Sequence, residues 1–152
     1  MPTKESIVLV LEDVRSLWNV GAIFRTADAL GVSKLYLCGI TGVPPRKEIT
    51  KVALGAERWV RWERRAAAWE VVGELRGRGY MTVALEQTTN SIPIRDFKPR
   101  FPLALVLGNE VRGCSRLVLD EVECVVHIPM VGRKESLNVA VAAGIATQIL
   151  LH

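Results

Sequence analysis

The chain has 152 residues, 49% of them hydrophobic and 24% charged, which suits one folded domain spanning 1–152 and excludes intrinsic disorder. Twenty Lys and Arg against sixteen Asp and Glu leave a net charge of +4, an excess that suits a polyanionic partner such as nucleic acid without demanding one. Cys38, Cys114 and Cys124 are odd in number and widely spaced with no CxxC pair, which argues against a disulfide or zinc framework and for buried thiols in a reducing compartment.

Residues 7–11 form a short continuous apolar run, the pattern of a strand covered on both faces. From 20 to 30 the apolar positions Ile23, Phe24, Ala27 and Leu30 recur at helical spacing and Gly31 supplies a stop. A second strand is predicted at 34–38, a proline-bearing loop at 39–45, a short helix at 47–54 and a brief strand at 59–62. A helix follows at 64–76, with Trp69, Val72 and Leu75 on its apolar face. Gly77 and Gly79 break the chain before a strand at 80–85, and a polar excursion over 90–102 leads to a strand at 103–107.

A short helix at 115–119 and a strand at 122–128 precede Pro129, which cannot extend a ladder. Ser136 is then placed to cap a C-terminal helix of about sixteen residues, apolar on nearly every face and hence expected under the sheet, at a subunit interface, or both. That helix is too short and too rich in Ala and Gly to span a membrane, and no basic-then-apolar leader is present, so a cytoplasmic location is expected. Strand and helix alternate throughout, which implies an α/β domain with a mostly parallel sheet and helices on both faces.

Ligands of open α/β sheets bind beyond the carboxyl ends of the strands. Three segments leave a strand and turn polar or glycine-bearing at once: Leu85-Glu86-Gln87, Leu107-Gly108-Asn109-Glu110 and Ile128-Pro129-Met130. Leu85, Ile128, Met130 and Leu137 are candidates to wall a flat ligand ring, or are core residues; Gly108 permits close approach of a ligand, or simply makes a tight turn. There is no GxGxxG after the first strand and no GxxxxGK[ST], so dinucleotide and nucleoside-triphosphate sites lack support. His127 and His152 are isolated, and no metal is expected.

Three stretches carry a resemblance. They are Asn19-Val20-Gly21-Ala22-Ile23-Phe24-Arg25-Thr26-Ala27, Leu105-Val106-Leu107-Gly108-Asn109-Glu110-Val111-Arg112-Gly113, and the run from Ile128 through Ser136-Leu137-Asn138 to Gly144. In that order and spacing they resemble the three motifs of the SpoU/TrmH family of RNA ribose 2′-O-methyltransferases, within the SPOUT superfamily. The resemblance implies a C-terminal trefoil knot, S-adenosylmethionine as cofactor, a homodimer, and tRNA or rRNA as substrate. It places the cofactor against Leu85, Glu86, Gly108, Ile128, Met130, Ser136 and Leu137. It places Asn19, Arg25, Glu110, Ser136 and Asn138 at the reaction, with Asn19 and Arg25 facing the acceptor ribose and helping to complete the site across the dimer interface.

A guanidinium keeps its proton through the physiological range, so Arg25 suits phosphate anchoring and stabilisation of charge on the 2′-oxygen; an arginine deprotonated with help from substrate phosphate is the alternative. Glu110 is either the family's carboxylate or a loop acid paired with Arg112 or another base. Arg25, Arg46, Lys47, Arg61 and Arg112, with Lys51, Arg58, Arg64 and Arg65, are candidates for gripping RNA, and Trp59 or Trp62 for stacking on a base. Many family members carry an extra N-terminal domain, and this chain resembles a minimal form without one. The rival reading is an RNA-binding module with a vestigial pocket and no transfer activity.

Overall fold

A computed structural model describes residues 6–152. The chain runs β1 (Ile7–Glu12), α1 (Leu17–Leu30), β2 (Lys34–Cys38), α2 (Lys47–Ala53), β3 (Trp62–Arg65), α3 (Ala68–Gly77), β4 (Met81–Leu85), β5 (Ile92–Pro93), β6 (Leu103–Leu107), α4 (Arg116–Glu121), β7 (Cys124–His127) and α5 (Val139–Leu151). The strands form one sheet in the order β3-β2-β1-β6-β4-β7-β5, and every neighbouring pair is parallel.

The two-residue period of a strand explains the unbroken apolar runs. Ile7, Leu9 and Leu11 of β1 and Leu103, Leu105 and Leu107 of β6 face one cluster with Phe24, Ile49, Ala143 and Leu150 from α1, α2 and α5. Val8, Val10, Ala104 and Val106 point the other way, onto Val71, Val72 and Leu75 of α3 and Val118 of α4. The register sets Leu9 beside Leu105 and Val10 beside Val106, so like faces like; a slip by one residue would exchange the two faces. The chain steps outward from β1 to β2 and β3, jumps to β4, and returns with β6 to fill the gap between β1 and β4. That return gathers the carboxyl ends of β4, β6 and β7.

Several elements differ from expectation. The helix expected at 20–30 starts at Leu17, because the Ser16 hydroxyl accepts from the Asn19 amide (3.2 Å) and closes an earlier first turn. The strand expected at 59–62 lies at Trp62–Arg65: a 3-10 turn at Ala56–Arg58 takes up the residues before it, with Val60 N bonded to Ala56 O (2.9 Å). The following helix therefore starts at Ala68, and Trp69 falls on its exposed side.

β5 and the 3-10 turn at Ile94–Asp96 lie inside the stretch expected to be irregular. Asn138, not Ser136, caps α5: its Oδ1 accepts from Ala140 N (2.9 Å) and Val141 N (3.2 Å), which leaves Ser136 two residues upstream in an exposed loop. α5 buries Val139, Ala143, Ala146, Thr147 and Leu150, yet Val141 and Ile145, one turn apart, stay exposed.

Candidate functional site

One open cleft lies at the carboxyl ends of β4, β6 and β7. Leu85 and Glu86 enter it from β4, Gly108 and Glu110 from β6, Ile128 and Met130 from β7, and Ser136 and Leu137 from the segment leading into α5. The three strand-end segments read from the sequence thus line one concavity, as expected where a parallel sheet reverses its strand order.

The loop at 108–113 is rigid for local reasons. Asn109 N bonds Gly113 O (3.1 Å) and Gly113 N bonds Asn109 O (2.9 Å), while Asn109 Oδ1 accepts from Val111 N and Arg112 N (both 2.9 Å). Asn109 Nδ2 reaches across to Asp13 O (2.8 Å) and ties the loop to the end of β1. A Cβ on Gly108 would fall onto the Gly113–Cys114 backbone, so this glycine makes room first for the chain itself. Gly113 has φ +70, and a Cβ there would fall onto the Glu86 carboxylate, which accepts from Cys114 N (2.8 Å).

The mouth of the cleft holds a connected polar chain. Glu110 accepts from Arg15 N (2.9 Å), Ser16 N (2.8 Å) and Asn19 Nδ2 (3.0 Å). Asn19 Oδ1 in turn accepts from Asn138 Nδ2 (3.1 Å). Donor and acceptor chemistry allows one assignment of both amides: a carboxylate only accepts and backbone N–H groups only donate, so Asn138 must offer its nitrogen to Asn19. One residue from each of the three motif stretches is joined here, at the start of both α1 and α5. Burial pushes the Glu110 carboxyl up, but the Ser16 and Arg15 amides and the Asn19 side chain outweigh it and hold it below the ordinary carboxylate range. The alternative pairing of Glu110 with Arg112 does not occur.

Arg25 stands apart. It is exposed on α1, six residues beyond Asn19 and so roughly 9 Å along the helix axis, and does not line the cleft of its own chain. Arg46, Lys47 and Arg112 are exposed on the side of the cleft, where α2 and the 108–113 loop begin, whereas Arg61 is exposed beside the amino end of β3. Arg65 is committed elsewhere: its guanidinium pairs with Glu74 (2.6 Å) and Glu63 (3.5 Å), fixing β3 to α3. Burial pushes the Cys38 thiol up to about 12 and raises that of Cys114 as well, so neither is a nucleophile at neutral pH.

Some site residues had no local signal. Glu12, buried at the end of β1, accepts from Ser115 N (2.8 Å) and Ser115 Oγ (2.6 Å) and anchors α4; its partner is 103 residues away. His127 lines the cleft with Nδ1 held by Ser91 Oγ (2.8 Å). Asn109 had a signal, because Asn after Gly marks a side-chain-closed turn.

The cleft is chemically selective. Glu86, Glu110 and Glu135 line it and, among the described residues, no Lys or Arg does, between apolar walls from Leu85, Ile128 and Leu137. Such a site suits a cationic ligand with a flat apolar ring and disfavours phosphates; the residues therefore fit a sulfonium nucleoside. Among the described residues no helix is long and apolar enough to cross a membrane, and no group of three His, Cys, Asp or Glu side chains could hold a metal.

Comparison with known proteins agrees with this geometry. A TrmH family tRNA/rRNA methyltransferase of Staphylococcus haemolyticus is 36% identical over 140 residues, covering 92% of this chain and 56% of that protein; the chain thus spans about half the length of the curated relatives it matches. An AdoMet-bound rRNA methyltransferase from Sinorhizobium meliloti superposes with TM-score 0.90 at 31% identity, over 98% of this chain and 57% of the other. A structure reported for the 2-OH methylation of C/U34 on tRNA superposes with TM-score 0.83 at 27% identity, over 95% of this chain and 93% of the other. The profile of the SpoU rRNA Methylase family matches residues 6–148, and the chain belongs to that family.

Proposed function

We propose that the chain transfers a methyl group from S-adenosylmethionine to a ribose 2′-hydroxyl of tRNA or rRNA, acting as a homodimer in the cytoplasm. The observation that carries this reading is the Glu110–Asn19–Asn138 chain at the mouth of an acidic, apolar-walled cleft. Bound S-adenosylmethionine would supply a sulfonium methyl carbon open to attack by the 2′-oxygen: the C–O bond would form as the C–S bond breaks, S-adenosylhomocysteine would leave, and the hydroxyl proton would pass to water or substrate phosphate. Backbone at Leu85, Glu86, Gly108, Ile128 and Met130, with the Leu137 side chain, would hold the cofactor. Ser136 and Asn138 border it at the start of α5.

The chain's own task is to bring the oxygen to roughly 3–3.5 Å from that carbon on the line of displacement. Glu110 acts by position: both its oxygens are taken by N–H donors and its carboxyl is held below the ordinary range, which makes it a poor proton acceptor. Arg25 anchors substrate phosphate and stabilises charge growing on the 2′-oxygen. Because it lies outside its own chain's cleft, it serves the cleft of a second copy. The exposed apolar residues Trp18 on α1 and Val141 and Ile145 on the adjoining α5 supply a surface for that copy.

The superposition on the structure reported for methylation of C/U34 on tRNA supports tRNA as the first substrate to test. The test incubates the protein with methyl-labelled S-adenosylmethionine and unmodified tRNA and rRNA transcripts, then digests the RNA. A labelled 2′-O-methylnucleoside is expected; absence of both label and cofactor binding would sink the reading.

A further inference from the structure

Four tryptophans punctuate the chain, and their surroundings separate them. Trp62 is half-buried against the larger core cluster, Trp69 sits beside Glu70 on α3, and Trp18 is exposed on α1, which packs on α5. Trp59 is 60% exposed, an unusual state for the largest side chain. Its ring is nonetheless fixed. Nε1 donates to Asp28 Oδ1 (2.7 Å) on α1, and the ring edge rests over Gly55, where a Cβ would lie 3.3 Å from Cη2. Gly55 has φ +95, so the seat under the ring is reserved for a residue without a side chain.

The surroundings of this ring are basic. Arg58 Nη2 lies 3.7 Å from the same point above Gly55. Lys51 precedes the turn on α2, Arg61 follows it, and both are exposed. Arg25 lies one helical turn before Asp28, on adjoining surface of α1. None of these four cations makes an ion pair among the described residues. The nearby carboxylates are Asp28, which holds the indole N–H, and Glu57. An immobilised, exposed aromatic ring with one unpaired cation beside it and others on the adjoining segments suits a single-stranded polyanion with flat bases.

We propose that Trp59 is a stacking platform for an unpaired base of the RNA, with Lys51, Arg58 and Arg61 holding neighbouring phosphates and Arg25, one turn of α1 away, at the ribose. This rests on the RNA methyltransferase reading. Stacking is indifferent to base identity, so the platform sets the position of the strand and contributes affinity without reading sequence.

The experiment titrates an unmodified tRNA transcript against wild type, Trp59→Ala and Trp59→Phe at fixed salt, following binding by filter retention and by tryptophan emission. S-adenosylmethionine affinity and sedimentation are measured on the same preparations. Trp59→Ala is expected to weaken RNA binding by about tenfold, the scale of one lost base stack, with cofactor affinity unchanged. Trp59→Phe keeps a ring and is expected to stay within about threefold of wild type while losing part of the emission change that RNA causes. If Trp59→Ala binds RNA as tightly as wild type, the platform falls while methyl transfer stands. If Trp59→Ala instead shifts sedimentation toward monomer with RNA affinity intact, the ring belongs to a protein contact and the proposal is overturned. A wild-type protein that binds no RNA would overturn the platform and the parent reading together.

Discussion

Asn138 Nδ2 donates to Asn19 Oδ1 across 3.1 Å, linking residues 119 positions apart and joining the N-terminus of α5 to the first turn of α1. The same Asn138 side chain caps α5 through its oxygen. One residue therefore both starts a helix and holds the mouth of the cleft.

Asn138→Ala is expected to cost about 1 kcal/mol for the lost cap and to reduce turnover, because Asn19 loses its acceptor-side partner. Ser136→Ala is expected to stay within about 0.5 kcal/mol of wild type, since the Ser136 side chain caps nothing. Urea unfolding of the two variants checks the order; a larger loss for Ser136→Ala would return the cap to Ser136.

Glu110 gives stability a pH dependence of defined sign. Its folded-state carboxyl lies below its ordinary value of 4.5, so its contribution is fully present above that value and is lost as pH falls through the lower folded value. The stability gap between wild type and Glu110→Gln is expected to be constant near neutrality and to close in acid. A gap unchanged from about pH 6 to pH 3 would show that the charged form is not what α1 binds.

The glycines of the cleft differ in what an added Cβ meets. Gly108→Ala drives a methyl into the Gly113–Cys114 backbone, which cannot swing aside. Gly113→Ala meets the end of the Glu86 side chain, which can move, and adds the strain of φ +70. Gly31→Ala has open space and carries only the conformational cost of φ +75, about 1 kcal/mol. The expected loss in melting temperature is Gly108→Ala first, Gly113→Ala second, Gly31→Ala least, with cofactor affinity falling for the first two alone.

Subunit mixing tests the placement of Arg25. In the proposed dimer, Asn19→Ala would damage the cleft of its own chain and Arg25→Ala would damage what that chain lends its partner. Each variant alone is expected to be inactive. An equal mixture allowed to exchange subunits should recover roughly a quarter of wild-type turnover, since half the dimers are mixed and each mixed dimer has one intact site. No recovery in a mixture shown to exchange would put Arg25 in its own chain's site.

The strands 34–38 and 103–107 were legible in the sequence to the residue, and 7–11 to within one, because a strand buried on both faces needs an unbroken apolar run and polar or glycine residues end it. The same rule marked the three strand ends that now line the cleft. Capping of α5 was less legible. Ser136 and Asn138 both carry the local chemistry of an N-cap, and Asn138 prevails where its nitrogen finds Asn19 on α1.

Trp59 and Trp62 likewise look alike in one dimension. The 3-10 turn after Gly55 sends one to solvent and the other into the edge strand. Glu12 with Ser115, Glu86 with Cys114 and Gly108 against Gly113–Cys114 came from the tertiary structure alone. Periodicity along a chain encodes which face of an element is buried; which polar groups meet across the strand ends is settled by the order in which β1, β6 and β4 lie side by side.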